Sequence, residues 1–191
     1  MKPVERGEIL GLSEYESVRT PFRVRVIEEK KIRRVAVGEH VTAVFENRDT
    51  VLLQIQEMLR TERITREGAI LHEIETYNQL VPGEGELSAT MMVEIPDPAA
   101  RETFLDAAKG LERHVALVVD GHKFAATFDP SRVLSERASA VLYVKFALSP
   151  SARQAIQARR ASMSLVIDHP AYDARASLSA ATLASLADDL S

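Results

Sequence analysis

Alternation of apolar and polar residues with a period of two marks the strand-forming part of the chain. From Leu87 to Ile95 every second residue is apolar, and Ser88, Thr90 and Glu94 lie among the residues between them. Successive side chains of a strand point to opposite faces, so this spacing predicts a half-buried strand. Similar patterns predict further strands at 35–37, 41–45, 142–148 and 163–167.

A helical period replaces this alternation between positions 49 and 81. The first apolar stripe comprises Val51, Leu52, Ile55, Met58 and Leu59. The second comprises Ile70, Ile74, Tyr77 and Val81. Apolar residues that recur three or four positions apart share one helix face, so each stripe predicts an amphipathic helix. With Asp49 or Thr50 as the first N-cap and Thr65 as the second, these residues are predicted to form a helical hairpin.

The segment before position 35 is predicted to contain two helices. Ser13 and Glu16 have the spacing of a capping box, which predicts the start of a short helix. Thr20 and Pro21 then predict the N-cap and the first position of a second helix that ends near position 33. A solvated group of cations is predicted at its C-terminal end, where the helix dipole favours positive charge. These cations are Lys30, Lys31, Arg33 and Arg34.

The remaining patterns complete an α+β assignment. Helices are predicted at 99–108, 150–159 and 179–190, a hairpin at 115–128 around Asp120 and Gly121, and a turn at 168–170. Early helices followed by strand hairpins predict a mainly antiparallel sheet of about five to six strands, covered by helices on one face. We expect one domain over 1–191, which comprises N-terminal helices in 1–34, the helical hairpin in 49–81, the main sheet with intervening helices in 87–168 and the C-terminal helix in 179–190.

Composition excludes several classes of function. The 191 residues contain no cysteine, so thiol nucleophiles, Cys-ligated zinc and protein-bound iron-sulfur clusters are excluded. A net charge of -4 argues against nucleic-acid binding, which depends on neutralising phosphates. No apolar run reaches the roughly 18 residues of a membrane span. The charges at Glu5, Arg6 and Glu8 interrupt any signal peptide, so we expect a cytoplasmic protein. No cofactor-binding motif is present, and no cofactor is expected.

Ionisable residues concentrate where the strand at 41–45 meets the helical hairpin. The candidate residues are Glu46, Asn47, Arg48, Glu73, Tyr77, Asn78 and Glu94. A desolvated carboxylate without a cation beside it can serve as a general acid or base, whereas one paired with an arginine is structural. The sequence therefore leaves two alternatives, a small-molecule pocket and a network of structural ion pairs.

A weaker metal candidate lies on the second helix of the hairpin. His72 and Glu75 are three residues apart, so an imidazole and a carboxylate share one helix face. That face is opposite the apolar stripe, and no HExxH motif is present. A solvated helix face explains the pair better than a metal site does.

Three segments carry a resemblance to a known family. FENRDTVLLQIQEMLRTERI, HEIETYNQLVPGEGELSATMMVEIPD and DHPAY are similar to the uncharacterised bacterial family called domain of unknown function 3501, over nearly the whole length. The family has no assigned activity or catalytic residues. The resemblance implies a genomic context beside rubrerythrin-like and heterodisulfide-reductase-like proteins, and hence a link to redox or oxidative-stress physiology.

Two functional hypotheses follow. The first is an accessory protein that docks to a redox or iron protein or assembles with itself, through the helical hairpin or an exposed sheet edge. The second is a small-molecule-binding protein or enzyme whose pocket gathers the candidate residues around Glu46 and Arg48. The sequence assigns no reaction, so it does not decide whether the protein is an enzyme.

Overall fold

The computed structural model describes residues 1–132, 134 and 136–190. Its helices are α1 (Leu12–Ile32), α2 (Arg48–Thr61), α3 (Glu67–Asn78), α4 (Pro98–Ala107), α5 (Pro150–Gln157) and α6 (Ala180–Asp189). Its strands are β1 (Arg34–Val37), β2 (Val41–Glu46), β3 (Glu86–Val93), β4 (Val115–Val119), β5 (His122–Ala125), β6 (Val141–Ala147), β7 (Met163–His169) and β8 (Tyr172–Ser177). The α+β class is confirmed.

The strands form two antiparallel sheets instead of the predicted single sheet of five to six strands. The first sheet has the order β1-β2-β3-β6 and the second the order β5-β4-β7-β8. Strand β8 escaped prediction because its inward positions include the small residues Ala174 and Ala176, which give a weak apolar alternation. The predicted turn before it is present, since β7 ends at His169 and β8 begins at Tyr172.

The main core lies between the two sheets. Phe45 and Met91 from the first sheet pack in one cluster with Leu117 and Leu165 from the second. Helices α4, α5 and α6 add Leu105, Ile156 and Leu186 to the same cluster. Helices α4, α5 and α6 therefore contribute to the core that the two sheets enclose. Because inward positions alternate along each strand, the residues between them form the outer face.

A second, smaller core belongs to the helical hairpin, whose prediction is confirmed. Ile55 of α2 and Ile74 of α3 pack there with Val4, Leu80 and Val81. The predicted caps are wrong by one to three residues, and at α2 side-chain hydrogen bonds account for the actual cap. Asn47 caps α2. Its Oδ1 accepts from the Thr50 backbone N-H at 3.0 Å, and Thr50 Oγ1 accepts from the Asn47 N-H at 2.9 Å. The N-cap of α3 is Arg66 and not Thr65.

The N-terminal part forms one helix where two were predicted. Helix α1 is continuous from Leu12 to Ile32 and contains Pro21 in its interior. A proline removes one helical N-H donor and usually ends a helix. Here the buried anchors Tyr15 and Val26 lie on either side of Pro21, and packing of both halves against the rest of the protein outweighs that local cost.

Arg33 is fully buried, which corrects its predicted place among solvated cations. Its Nε donates to Phe45 O at 2.8 Å, its Nη1 donates to Ser185 Oγ at 2.8 Å, and its Nη2 pairs with Asp189. Burial raises the pKa of Asp189, and the Arg33 guanidinium opposes that rise. The pair fastens α6 to the end of α1 and to β2.

Tyr172 connects the two sheets where β1 and β8 approach each other. Its hydroxyl donates to Val37 O at 2.6 Å and accepts from the His40 backbone N-H at 3.0 Å. Gly38 has a φ of +73°, and a Cβ at this position would collide with the Tyr172 hydroxyl. Glycine is therefore required here both by the backbone conformation and by the close approach of the tyrosine.

Candidate functional site

A cleft on the outer face of the first sheet is the candidate site, and we call it the Glu46 cleft. Glu46, Ser88 and Lys145 lie directly opposite one another on β2, β3 and β6. Their sequence neighbours Phe45 and Ala89 belong to the main core, so the alternation of the strands turns these three polar side chains outward. Cross-strand pairing thus forms a polar row along the floor of the cleft.

Glu46 is buried although it carries a carboxylate, with only 3% of its surface exposed. Its Oε1 accepts from Thr90 Oγ1 at 2.6 Å, and its Oε2 accepts from Thr50 Oγ1. Among the described residues these hydroxyls are its hydrogen-bond donors, and its side chain forms no ion pair there. A carboxylate offers about four acceptor sites, so Glu46 retains unused acceptor capacity.

Lys145 supplies the positive charge at the other end of the row. Its Nζ donates to Val81 O at 3.1 Å and lies 3.5 Å from Glu86 Oε2. Glu86 Oε2 also accepts from the Gly83 backbone N-H at 2.9 Å. The ammonium group is therefore engaged by the turn between α3 and β3, and its charge is balanced by Glu86 instead of Glu46.

Apolar side chains form most of the walls of the Glu46 cleft. Its volume is about 200 Å³, and Leu80, Phe128 and Tyr143 line it. Leu80 is held in place because its carbonyl accepts from Ser88 Oγ at 2.6 Å. The cleft thus combines an apolar enclosure with one buried carboxylate, the arrangement typical of small-molecule sites.

A second cleft adjoins the first, and we call it the Glu112 cleft. It has a volume of about 480 Å³ and shares Phe128, Asp129 and Tyr143 with the Glu46 cleft. Glu112, which follows α4 in a short 3₁₀ helix, lines it and is 3% exposed. In the part of the chain that the structure describes, Glu112 Oε1 has no hydrogen-bond partner. Among the described residues, Arg113 Nε forms an ion pair with this oxygen at 3.7 Å.

The seven candidate residues from the sequence are distributed among several separate contacts. Glu46 is the member of this set that lines a cleft, and Asn47 is joined to it through Thr50. Arg48 pairs with Glu8 near the N-terminus. The set therefore does not converge on one cavity.

The remaining candidates support the polypeptide locally. Asn78 exchanges two hydrogen bonds with the backbone of Val4, at 2.7 and 2.9 Å. Tyr77 packs against the smaller core, and Glu73 is half-buried on the same helix. Whether any of these residues takes part in function stays a prediction.

Glu94 lies toward the opposite end of β3 from Glu46 and has a complete set of partners. Its carboxylate accepts from Arg34 Nη2 at 2.6 and 2.7 Å and from Thr42 Oγ1 at 2.6 Å. The Thr42 hydroxyl, and then the Arg34 guanidinium, hold the pKa of Glu94 below its usual range. Glu94 is therefore a carboxylate of the same sheet that is paired with a cation, and it serves as a comparison for Glu46.

The weaker metal candidates His72 and Glu75 are exposed on α3. Within 1–132, 134 and 136–190, no three His, Asp or Glu side chains are grouped closely enough to hold a metal ion. The structure thus adds no partner that would turn this pair into a metal site.

Several residues of the clefts were not singled out from the sequence. Tyr143 and Lys145 occupy the polar phase of the strand predicted at 142–148, so alternation could have identified them as outward-facing. Thr90 became a partner of Glu46 only through the register of β2 and β3, which is a non-local property. Glu112 lies in an irregular segment without a periodic signal.

These features define an antiparallel α+β protein with two four-stranded sheets and a partly apolar cleft on one outer face. The chain belongs to the family described as protein of unknown function (DUF3501), whose model matches residues 3–190. This match confirms the resemblance carried by the three sequence segments.

A solved structure supports the same assignment. The crystal structure of a novel protein of unknown function from Burkholderia pseudomallei K96243, at 1.90 Å resolution, is similar to this chain. The two are 34% identical with a TM-score of 0.92, and the similarity covers 100% of each chain. No curated protein matches the chain significantly. Over the described ranges, no helix has the length and apolar character needed to cross a membrane.

Proposed function

We propose that this protein binds a small molecule in the Glu46 cleft. The observation that carries the proposal is the Glu46 carboxylate, which is 3% exposed, borders a cavity of about 200 Å³ and forms no ion pair within the described residues. Buried charged groups are normally paired, because desolvation without a partner is costly. A ligand that donates to Glu46 would supply the missing partner.

Comparison with Glu94 supports a binding role over a purely structural one. Both carboxylates accept a threonine hydroxyl on the first sheet, but Glu94 is also bonded twice by Arg34. Glu94 is half-exposed and does not line either cleft, whereas Glu46 is enclosed. Among the described residues, the better-shielded carboxylate is thus the one that has no cation beside it, the reverse of what a stabilising network requires.

The same geometry supports binding without assigning a reaction. Ser88 Oγ donates to Leu80 O, and the Lys145 ammonium is engaged by Val81 O and Glu86. Neither group has the relation to a neighbouring base that activates a nucleophile. We therefore restrict the proposal to ligand binding.

A saturation-transfer NMR screen of a library of amines, carboxylic acids and neutral polar compounds would test the proposal. The wild-type chain is compared with Glu46→Gln, which keeps the side-chain shape, and with the matched control Glu94→Gln. We expect at least one class of compound to bind wild type and the control and to lose binding to Glu46→Gln. Absence of any binder, or binders indifferent to Glu46→Gln, would overturn the proposal.

A second candidate function is the accessory role beside a redox or iron protein that the family context suggests. The observation in its favour is an apolar groove of about 290 Å³ between α1 and α2, lined by Val18, Phe22 and Leu52. Val18 is 41% exposed and borders this groove, which gives the groove an exposed apolar rim for contact with another protein.

Crosslinking in native cells followed by mass spectrometry would test this role. We expect an iron or redox protein crosslinked to α1, and loss of that crosslink in Val18→Asp but not in a control, Arg23→Asp, on the same helix. Crosslinks that involve no iron or redox protein would contradict the redox link.

A further inference from the structure

We propose that the ligand is an elongated aliphatic diamine or polyamine that spans both clefts and places one ammonium group on Glu46 and another on Glu112. This inference rests on the proposed small-molecule function and specifies the chemical class of the ligand. Its basis is the presence of two buried carboxylates, Glu46 and Glu112, which line adjoining clefts and have incomplete hydrogen bonding among the described residues.

The two clefts adjoin each other, since Phe128, Asp129 and Tyr143 line both of them. Along β6 the combined surface runs from Lys145 in the Glu46 cleft to Val141 in the Glu112 cleft. At about 3.3 Å per residue, these four steps correspond to about 13 Å. The site is therefore elongated, and a compact ligand such as a short monoamine would fill only one end.

Charge favours a cation at each end. Glu46 accepts two hydroxyl hydrogen bonds, and Glu112 Oε1 has no partner among the described residues. Glu112 Oε1 is also shielded from water, and of the described residues Arg113, with its Nε 3.7 Å away, is the cation paired with it. An ammonium group that enters the Glu112 cleft would supply the hydrogen-bond donor that this oxygen lacks among the described residues. An ammonium group carries three donors and a positive charge, which suits both carboxylates.

The middle of the surface suits a methylene chain. Phe128 and Tyr143 lie in the wall common to both clefts, whereas Glu46 lines the first cleft alone and Glu112 the second alone. Aromatic faces provide apolar contact for methylene groups and attract a nearby cation through the ring quadrupole. A chain with charged ends and an apolar middle therefore matches the order of groups along the surface.

An anionic ligand fits less well. Lys145 is the cation of the Glu46 cleft, and its ammonium is engaged by Val81 O and lies near Glu86. Asp129 in the shared wall adds a third carboxylate to Glu46 and Glu112. An anion would face these negative groups in partly apolar clefts, where charge repulsion is less screened than in bulk water.

Isothermal titration calorimetry of the full chain in about 0.15 M salt, where long-range attraction is screened, would test the inference. The probes are spermidine, 1,4-diaminobutane, 1-aminobutane and 1,4-butanediol. We expect one spermidine per chain, bound at least about tenfold more tightly than 1-aminobutane because it engages both carboxylates. The diol is expected not to bind.

Variants assign the two ends of the ligand. Glu46→Gln and Glu112→Gln should each weaken spermidine binding by about tenfold or more, whereas Glu94→Gln should leave it unchanged. Circular dichroism checks that each variant folds. If Glu112→Gln does not fold, the two-ended site is tested on the wild-type protein alone, which should bind spermidine more tightly than 1-aminobutane.

The failure of this inference is distinguishable from failure of the proposed function. Spermidine that binds no more tightly than 1-aminobutane, or that is indifferent to Glu112→Gln, contradicts the two-ended site. Binding of neutral compounds or acids that depends on Glu46, without any binding of amines, leaves the small-molecule function standing and rejects the diamine. If no compound of either experiment binds, both proposals are wrong.

Discussion

The two sheets of this protein approach each other along two seams. Buried polar groups are fully paired at one seam and incompletely paired among the described residues at the other. At the first seam, between β1 and β8, Tyr172 bonds to Val37 and His40, and nearby Arg33 is paired with Asp189. At the second seam, between β5 and β6, a single backbone pairing of Thr127 with Lys145 joins the sheets. The Glu46 and Glu112 clefts lie beside this second seam.

The difference separates groups that hold the fold from groups that are available for a ligand. Arg33 has backbone, hydroxyl and carboxylate acceptors, so its charge is neutralised inside the protein. Glu46 is equally hidden but lacks a cation within the described residues. Under the proposed function, burial alone does not distinguish a ligand-binding group from a structural one, whereas the completeness of its pairing does.

The largest effect is expected at the first seam. Arg33→Met should lower the free energy of unfolding by about 3–5 kcal/mol, because it leaves Asp189 buried without its partner. The matched control is Arg25→Met, which removes an exposed pair with Asp49 and should cost less than about 1 kcal/mol. Urea unfolding at pH 7 measures both. Equal losses would show that the Arg33 pair is no more structural than a surface pair.

The contact that closes the first seam is expected to show the next largest effect. Gly38→Ala should lower the free energy of unfolding by about 2–3 kcal/mol, because it combines a left-handed backbone with a collision against Tyr172. Gly110→Ala is the control, since Gly110 has a φ of +84° and open space where the Cβ would be. It should cost about 1 kcal/mol. Similar thermal unfolding of the two variants would mean that the Tyr172 contact contributes nothing.

At the second seam, Glu46→Gln should change the free energy of unfolding by less than about 1 kcal/mol. The hydroxyl groups of Thr50 and Thr90 can still bond to the amide, and the cost of burying a charge disappears. Urea unfolding in the absence of ligand measures this. A loss of about 3 kcal/mol or more would place Glu46 with Arg33 among the structural groups and weaken the contrast between the seams.

Glu57, a paired carboxylate outside both seams, shows how an ordinary ion pair should make stability depend on pH. Arg19, and then Tyr15, hold the pKa of Glu57 below its usual range through side-chain hydrogen bonds. A lowered folded-state pKa stabilises the protein above the ordinary glutamate pKa of about 4.3, and that stabilisation is lost as the pH falls through the folded-state value. Glu57→Gln should therefore cost about 1 kcal/mol at pH 7 and less in acid. Unfolding curves at several pH values measure the difference, and a cost that is constant with pH would contradict it.

The sequence predicted the local elements of this fold better than their assembly. Strand β3 and the hairpin of α2 and α3 were visible because their apolar residues repeat with a clear period. The continuity of α1 through Pro21 and the burial of Arg33 depend on packing against distant segments, which no local pattern records. The division of the strands into two sheets was missed for the same reason, because strand pairing also depends on contacts between distant segments.

The candidate site was predictable only in part. Glu46 was named because it lies at a strand-to-helix junction, but its partner Thr90 depends on strand register. Arg48 and Glu94 were grouped with Glu46 because they are close in sequence or in predicted position, whereas the structure pairs them elsewhere. Glu112 carried no sequence signal.

The contrast between the seams is tested most directly by mapping amide chemical shifts while spermidine is added to isotopically labelled protein. We expect the largest changes at Ser88, Thr90, Glu112 and Lys145, with little change at Val37, His40 and Ser185. Changes that centre on the first seam would contradict the assignment of the second seam to ligand binding, and the absence of any change would reject an amine as its ligand.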